Sequence, residues 1–312
     1  MIKVLVVHKT GFYDKKTILD KLSGYEVEYI ETLAINEVEL AEKLANFEYL
    51  MINQESVTNL TPAFYKKLQE VKSPLKHISV DHTGFEWTSP ELAKGQGIKV
   101  SNIPHYASSS TAEFTIATIL FILKKLYLFE LTENKSEPIE GIINDDVFNK
   151  TIGVIGLGSI GGGVAKMAHG LGMKVLGWNK SEREIPGVEM VELEKLVKES
   201  DIITIHLSTN DETRALLNEA LFSKAENKPY VFNHTSESLL DTDMVLKMLN
   251  NGTFKTYSSS RKYIPSKEVL EHPNCISVPH QGWFTYQSMQ NLENTWIENF
   301  LEASKGNFIN LV

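Results

Sequence analysis

Thr151-Ile-Gly-Val-Ile-Gly156-Leu-Gly158-Ser159-Ile160-Gly161-Gly-Gly-Val164-Ala165 is the stretch that decides the fold. Gly156, Gly158 and Gly161 stand in G-x-G-x-x-G spacing, directly behind an apolar β-branched run and directly ahead of Val164-Ala165-Lys166-Met167-Ala168. The first glycine permits a tight turn, the second lets backbone approach a pyrophosphate, and the third lets helix pack on strand. The helix start then offers N–H groups to the anion. The spacing alone is a weak signal. A strand before it, a helix after it and a second strand at Lys174 to Trp178 complete a βαβ unit, which favours a dinucleotide site over a structural turn. Gly156, Gly158, Ser159, Ile160 and Gly161 are therefore the candidate phosphate loop.

That loop lies mid-chain, so another unit precedes it. Ile2 to Val7, Glu26 to Ile30, Tyr49 to Asn53, His77 to Val80 and Lys99 to Asn102 read as strands. Helical patterns at Asp14 to Lys21, Glu37 to Ala45 and Pro62 to Gln69 separate them. Behind the loop come strands at Lys174 to Trp178, Ile202 to His206, Tyr230 to Asn233, Thr253 to Ser258 and Ile276 to Val278. The alternation predicts an α/β protein with two parallel sheets, each covered on both faces. A long apolar stretch from Phe114 to Leu131, broken by Lys124, Lys125 and Glu130, reads as a core or interface helix and not as a membrane span. The last helix, Thr285 to Lys305, is expected to return to the first domain. Residues 1–102 and 284–312 then form one discontinuous domain, with the dinucleotide domain at 103–283 inserted in it.

Composition bounds the partners. The chain has 312 residues, 42% of them hydrophobic and 23% charged, with a formal net charge of -9. Acidic residues are spread throughout, so no basic stripe exists for nucleic acid. The one cysteine, Cys275, excludes an internal disulfide and the multi-cysteine zinc spacings, and no metal site is expected. The apolar start Met-Ile-Lys-Val-Leu-Val-Val-His is too short for a signal peptide, which with the cysteine usage points to the cytoplasm.

The strand following the loop helix ends Gly177-Trp178-Asn179-Lys180-Ser181-Glu182-Arg183. An NAD site usually carries an acid here for the ribose 2′-hydroxyl. A neutral Asn179 beside Lys180, Ser181 and Arg183 removes the repelling carboxylate and supplies donors for a 2′-phosphate. NADP is accordingly favoured over NAD, the alternative being a solvated turn with no part in selectivity.

From residue 76 onward the sequence resembles the D-isomer-specific 2-hydroxyacid dehydrogenases. The resemblance rests on Val80-Asp81-His82-Thr83-Gly84-Phe85, Gly97 to Pro104, Ser109 to Thr115, the Gly156 loop, Ser200 to Arg214 including His206, Asn233 to Asp241, and Pro279-His280-Gln281-Gly282, in that order. It implies two Rossmann-like domains, with the cofactor domain inserted in a flavodoxin-like substrate domain. It further implies a small 2-oxo or 2-hydroxy acid as substrate and a homodimer formed through the cofactor domain. Gly177-Trp-Asn-Lys-Ser running on to Ile185-Pro-Gly-Val188 is most similar to the NADPH-using glyoxylate and hydroxypyruvate reductases of that family.

The same resemblance assigns the site. His280 takes the acid/base position, donating a proton to a keto oxygen as hydride arrives. His206 joins the cofactor site, and backbone around His82, Thr83 and Gly84 binds the substrate carboxylate. His82, Tyr106 and Trp283 either line the cleft or simply pack. Two family side chains are missing. The arginine that grips the substrate falls at Ser236, followed by Glu237, and a hydroxyl cannot imitate a guanidinium fork. The glutamate that pairs with the histidine falls between Arg261 and Pro265, and no Asp or Glu occurs from Thr253 to Lys267. Arg261 either supplies the missing cation or is a plain surface arginine, and Glu268 either approaches His280 or begins a helix. Two functions stay open: a working NADP- or NAD-dependent reductase, and a cofactor-binding relic that senses nicotinamide or scaffolds a partner. Another Rossmann enzyme, such as an amino-acid dehydrogenase, lacks a motif here.

Overall fold

Along Lys3–His8 (β1), Val4 and Val6 face one apolar layer while Leu5 and Val7 face another, and all four are fully buried. Glu26–Glu31 (β2), Tyr49–Ile52 (β3), His77–Val80 (β4) and Lys99–Ser101 (β5) join it in a parallel sheet of order β2-β1-β3-β4-β5. This is the flavodoxin-like order, whose switch point lies between β1 and β3. The connecting helices are Lys15–Lys21 (α1), Glu37–Lys43 (α2), Pro62–Glu70 (α3) and Pro90–Gly95 (α4). Asp14, Asn36 and Thr61 cap the first three through side-chain acceptors. The computed structural model describes residues 1–9, 13–32, 34–128, 142–214, 216–263 and 266–312.

The second sheet has seven parallel strands: Thr151–Ile155 (β6), Lys174–Trp178 (β7), Val188–Met190 (β8), Ile202–Ile205 (β9), Tyr230–Asn233 (β10), Thr256–Ser260 (β11) and Cys275–Val278 (β12). Their order is β12-β11-β10-β9-β6-β7-β8, the dinucleotide-binding arrangement extended by one strand. Ser108–Leu123 (α5) and Ser159–Gly170 (α6) cover one face. Leu193–Glu199 (α7), Asp211–Arg214 (α8), Glu219–Phe222 (α9), Thr242–Asn250 (α10) and Lys267–Leu270 (α11) complete the unit.

The final helix, Tyr286–Ser304 (α12), lays Leu292, Trp296, Ile297 and Phe300 onto the β1 face that carries Val4 and Val6. The Trp296 indole N–H donates to the Ser79 carbonyl at 2.9 Å, and Ser79 Oγ donates back to the Trp296 carbonyl at 3.2 Å. By contacts the chain divides into Met1–Ala107 with Thr285–Val312, and Ser108–Phe284. The division thus falls after Ala107 instead of before Ile103. Ile103 is fully buried in the first unit's core, and its N–H donates to the His82 carbonyl at 3.1 Å.

Two expected elements have other bounds. The helix expected over Phe114 to Leu131 begins at Ser108 and ends at Leu123, while residues 129–131 of that span lie outside the described residues. Its hydroxyl-rich start is accommodated because Thr115 and Thr118 donate to the carbonyls of Thr111 and Phe114, at 2.9 and 2.8 Å. Lys125, at φ 51, turns the chain out of it. The strand expected from Thr253 starts at Thr256, because the turn holding Gly252 at φ +74 runs on until Phe254 is anchored by the Met248 carbonyl. β8, a three-residue strand with Glu189 and Met190 exposed, is an element additional to those expected. No helix among the described residues is long and apolar enough to cross a membrane.

Candidate functional site

The carboxyl ends of neighbouring strands β6, β9, β10, β11 and β12 bring forward Gly156, His206, His234, Ser260 and His280. Ligands of open α/β sheets bind along this edge. Gly156 adopts φ +91, and a Cβ there would lie 2.7 Å from the His206 carbonyl oxygen. A Cβ on Gly161 would lie 1.9 Å from the Gly156 carbonyl oxygen. The protein's own packing therefore demands both glycines. Gly158 differs: a Cβ would meet nothing within 4 Å, and this residue begins α6 with no side chain capping the helix. Open space before an uncapped helix start fits a pyrophosphate, with the first-turn backbone at Ser159, Ile160 and Gly161 nearest to it.

Asn179 ties the next turn to this loop. Its Oδ1 accepts from the Leu157 N–H at 3.0 Å, and its Nδ2 donates to the Ser181 carbonyl and hydroxyl at 2.9 and 3.0 Å. Lys180 is exposed and pairs with Glu212, so its charge is partly offset, and Ser181 and Arg183 are exposed. The turn therefore offers a neutral amide held in place and a cation shared with an acid.

Three histidines succeed one another along the edge, each with a ring nitrogen on a strand hydroxyl. His206 Nε2 meets Thr204 Oγ1 at 2.9 Å, His234 Nε2 meets Ser258 Oγ at 3.1 Å, and His280 Nδ1 meets Ser260 Oγ at 3.0 Å. Burial, then the neighbouring His234, pushes His206 down to about 3. Burial, then His280, pushes His234 down to about 4. His280 also lies below the ordinary histidine range, through burial and then the Lys262 ammonium. The first two rings are neutral at physiological pH. His234 sits between Phe114 and Phe232, with centroids 6.2 and 6.1 Å away, and its Nδ1 is buried without a hydrogen-bond partner.

His234 and Ser260 were not among the residues expected at the site. His234 follows Asn233 in the matched motif and was passable as a spacer, and Ser260 stands in a serine run that carries no chemical signature. Ser236 is turned to local work: its hydroxyl accepts from the Ser238 N–H at 3.3 Å and pairs with the Ser238 hydroxyl at 2.9 Å, capping a short turn. Asn233 donates to the Ser236 carbonyl at 2.8 Å, and Asp241 caps α10 by accepting from Met244 at 2.9 Å. Arg261 is exposed, and the cation acting on His280 is Lys262. Ile264 and Pro265, inside the span assigned to the missing glutamate, lie outside the described residues. Glu268 is exposed at the start of α11, where its own N–H and Ser266 hold its carboxyl below the usual range.

In the other unit, the loop after β4 is built on Asp81. Its fully buried carboxylate accepts from the Tyr13 hydroxyl at 2.7 Å, from His82 Nδ1 at 2.6 Å and from Asn53 Nδ2. Burial, then this carboxylate, pushes the Tyr106 hydroxyl up to about 12. Thr83 Oγ1 donates to the Ile103 carbonyl at 2.9 Å, and Asn102 Nδ2 donates to the Thr83 carbonyl at 2.7 Å. The Gly84 carbonyl accepts from the Trp87 indole at 3.2 Å. His82, Thr83 and Gly84 thus lie on a braced loop at the carboxyl edge of the first sheet. Trp283 stacks edge-on to Phe284 at 5.2 Å.

Residues 117–282 match the model of the D-isomer specific 2-hydroxyacid dehydrogenase NAD binding domain. The chain is 25% identical to a D-lactate dehydrogenase of Escherichia coli strain K12 over 326 aligned residues, covering 97% of each protein. It is 28% identical to a hydroxypyruvate reductase of Blautia hydrogenotrophica over 271 residues, covering 82% of this chain and 83% of that enzyme. Among solved structures, an acyclic imino acid reductase in complex with NADPH and D-Arg superimposes with a TM-score of 0.82 at 25% identity, covering all of both chains.

Proposed function

Because the chain belongs to the D-isomer-specific 2-hydroxyacid dehydrogenase family, we propose that it interconverts a small 2-oxo acid and its 2-hydroxy acid, with His280 as the acid/base. The observation that carries this reading is the position of His280. It lies on the same sheet edge as the glycine loop, with Nδ1 engaged by Ser260 and Nε2 as the nitrogen that exchanges a proton. The bound nicotinamide supplies or takes up the hydride. His280 gives its proton to the keto oxygen during reduction and removes it from the hydroxyl during oxidation. Backbone N–H groups of His82, Thr83 and Gly84 hold the substrate carboxylate.

NADP is the preferred cofactor. Asn179 places no carboxylate against a 2′-phosphate, Arg183 is exposed in the same turn, and the imino acid reductase neighbour binds NADPH. The protein works as a cytoplasmic homodimer. Leu126, Tyr127, Ile143 and Phe148 in the cofactor unit are exposed large apolar side chains, which supports the association of two copies.

Ser236 favours a second reading, a cofactor-binding relic acting as sensor or scaffold, because its hydroxyl is spent on a turn and grips no carboxylate. One experiment separates the two. The purified protein is titrated with NADH and NADPH by fluorescence. Oxidation is then followed with glyoxylate, hydroxypyruvate, pyruvate and, in view of the NADPH-bound neighbour, an acyclic imino acid. Turnover that His280→Ala abolishes supports the reductase. Binding without turnover across the panel supports the relic, and no binding of either cofactor defeats both.

A further inference from the structure

We propose that Ser260 is the positioning residue of His280, replacing with a neutral hydroxyl the carboxylate that the family resemblance places on this histidine. The inference rests on the reading of His280 as the acid/base and deepens it. Ser260 is the last residue of β11 and is 2% exposed, so its side chain is fixed by the sheet. Its Oγ lies 3.0 Å from His280 Nδ1 and also accepts from the Lys262 N–H at 3.4 Å. A serine oxygen has two acceptor lone pairs and one proton. It can accept from an Nδ1–H while keeping the Lys262 bond, and we assign that direction, which makes the imidazole the tautomer whose Nε2 is basic.

The proton transfer balances with no rearrangement at Ser260. As an imidazolium, His280 carries Nδ1–H to Ser260 and Nε2–H toward the keto oxygen. When the Nε2 proton leaves, the electron pair of that bond stays on Nε2 and the Nδ1–H bond to Ser260 is unchanged. The reverse direction refills Nε2. What a hydroxyl does not supply is negative charge. Among the described residues, the groups that bear on the ring include the Lys262 ammonium, which opposes a second positive charge, and the His234 imidazole, itself neutral. Ser260 thus orients the ring without stabilising its charged form, and the proton-donating form of His280 is confined to more acidic solution than a carboxylate partner permits.

The test combines ring NMR of 15N-histidine-labelled protein with the pH dependence of kcat for reduction, using NADPH and whichever oxo acid of the panel turns over. His280 in the native chain shows the Nδ1–H tautomer. Ser260→Ala mixes the tautomers and lowers kcat about tenfold with the KM for NADPH unchanged. Ser260→Thr keeps the hydroxyl and restores the tautomer, which separates positioning from packing. Ser260→Asp keeps the acceptor, adds the charge, and moves the alkaline limb of the reduction profile up by roughly one to two pH units. An unaltered tautomer in Ser260→Ala, or an unmoved limb in a folded Ser260→Asp, overturns the proposal. If His280→Ala still turns over while Ser260→Ala alters the tautomer, the acid/base reading fails and the pairing of Ser260 with the ring stands.

Discussion

His82 donates from Nδ1 to the Asp81 carboxylate at 2.6 Å, although Asp81 has no solvent exposure at all. A buried carboxylate needs donors, and Asp81 has three, from Tyr13, Asn53 and His82. Asp81→Asn removes the charge from these bonds and turns one acceptor into a donor facing donors. We expect it to lower stability by roughly 2–4 kcal/mol and to raise the KM for the oxo acid through a displaced His82 loop. Urea denaturation and steady-state kinetics check this, and an unchanged midpoint refutes it.

Acid should destabilise the cofactor unit through His206 and His234. Their folded values, about 3 and about 4, lie below the ordinary 6.5. The unfolded chain therefore binds protons first as pH falls, so stability contributed above about 6.5 is lost from there down through the folded values. The slope is roughly 1 kcal/mol per pH unit for each histidine. Melting at pH 7 and pH 5 measures it. His234→Phe, which keeps a ring between Phe114 and Phe232, should show a shallower loss. A slope equal to that of the native chain would exclude His234 as a source.

The loop glycines should fail in different ways. Gly161→Ala forces a Cβ onto the Gly156 carbonyl oxygen at 1.9 Å, so both folding stability and NADPH binding should suffer. Gly158→Ala meets no protein atom within 4 Å at a φ of -69, so the fold should stand while NADPH affinity drops at least tenfold. Thermal melting beside fluorescence titration distinguishes them. Native affinity in Gly158→Ala would remove the phosphate-loop assignment.

Asn179→Asp should reverse cofactor preference. The Oδ1 that accepts from Leu157 is kept, so the loop stays anchored, while the new charge repels a 2′-phosphate and accepts from a 2′-hydroxyl. The ratio of NADPH to NADH dissociation constants should rise by about tenfold or more, and a constant ratio counts against Asn179 as the discriminator.

The glycine loop and most strands were legible because their signals are local: fixed glycine spacing, and apolar runs such as Ile202 to Ile205. His280 was legible because Pro-His-x-Gly accompanies it in the chain. Ser260 was not, since its contact with His280 spans 20 residues and serines mark no chemistry by themselves. Asp81 stood in a matched loop, yet nothing in the sequence says that Tyr13, just before α1, and Asn53, just after β3, converge on it. Arg261 was a candidate through its place on the loop where the family resemblance puts a glutamate, whereas Lys262 is the cation that bears on the histidine. β8 escaped because the three residues Val188-Glu-Met are too short a run to establish a strand period.

The return of α12 to the first sheet carries a consequence for synthesis. Val4, Val6, Tyr49 and Met51 have only Tyr13, Ile18 and Leu22 as early cover, and their layer stays incomplete until Trp296 and Phe300 have been made. Residues 108–284 are contiguous and have all their own strands before that moment. On the ribosome, the segment translated second therefore has its own core complete first, while the segment translated earlier waits with one apolar face only partly covered. Nascent-chain proteolysis should find the early strands vulnerable until the very last helix emerges.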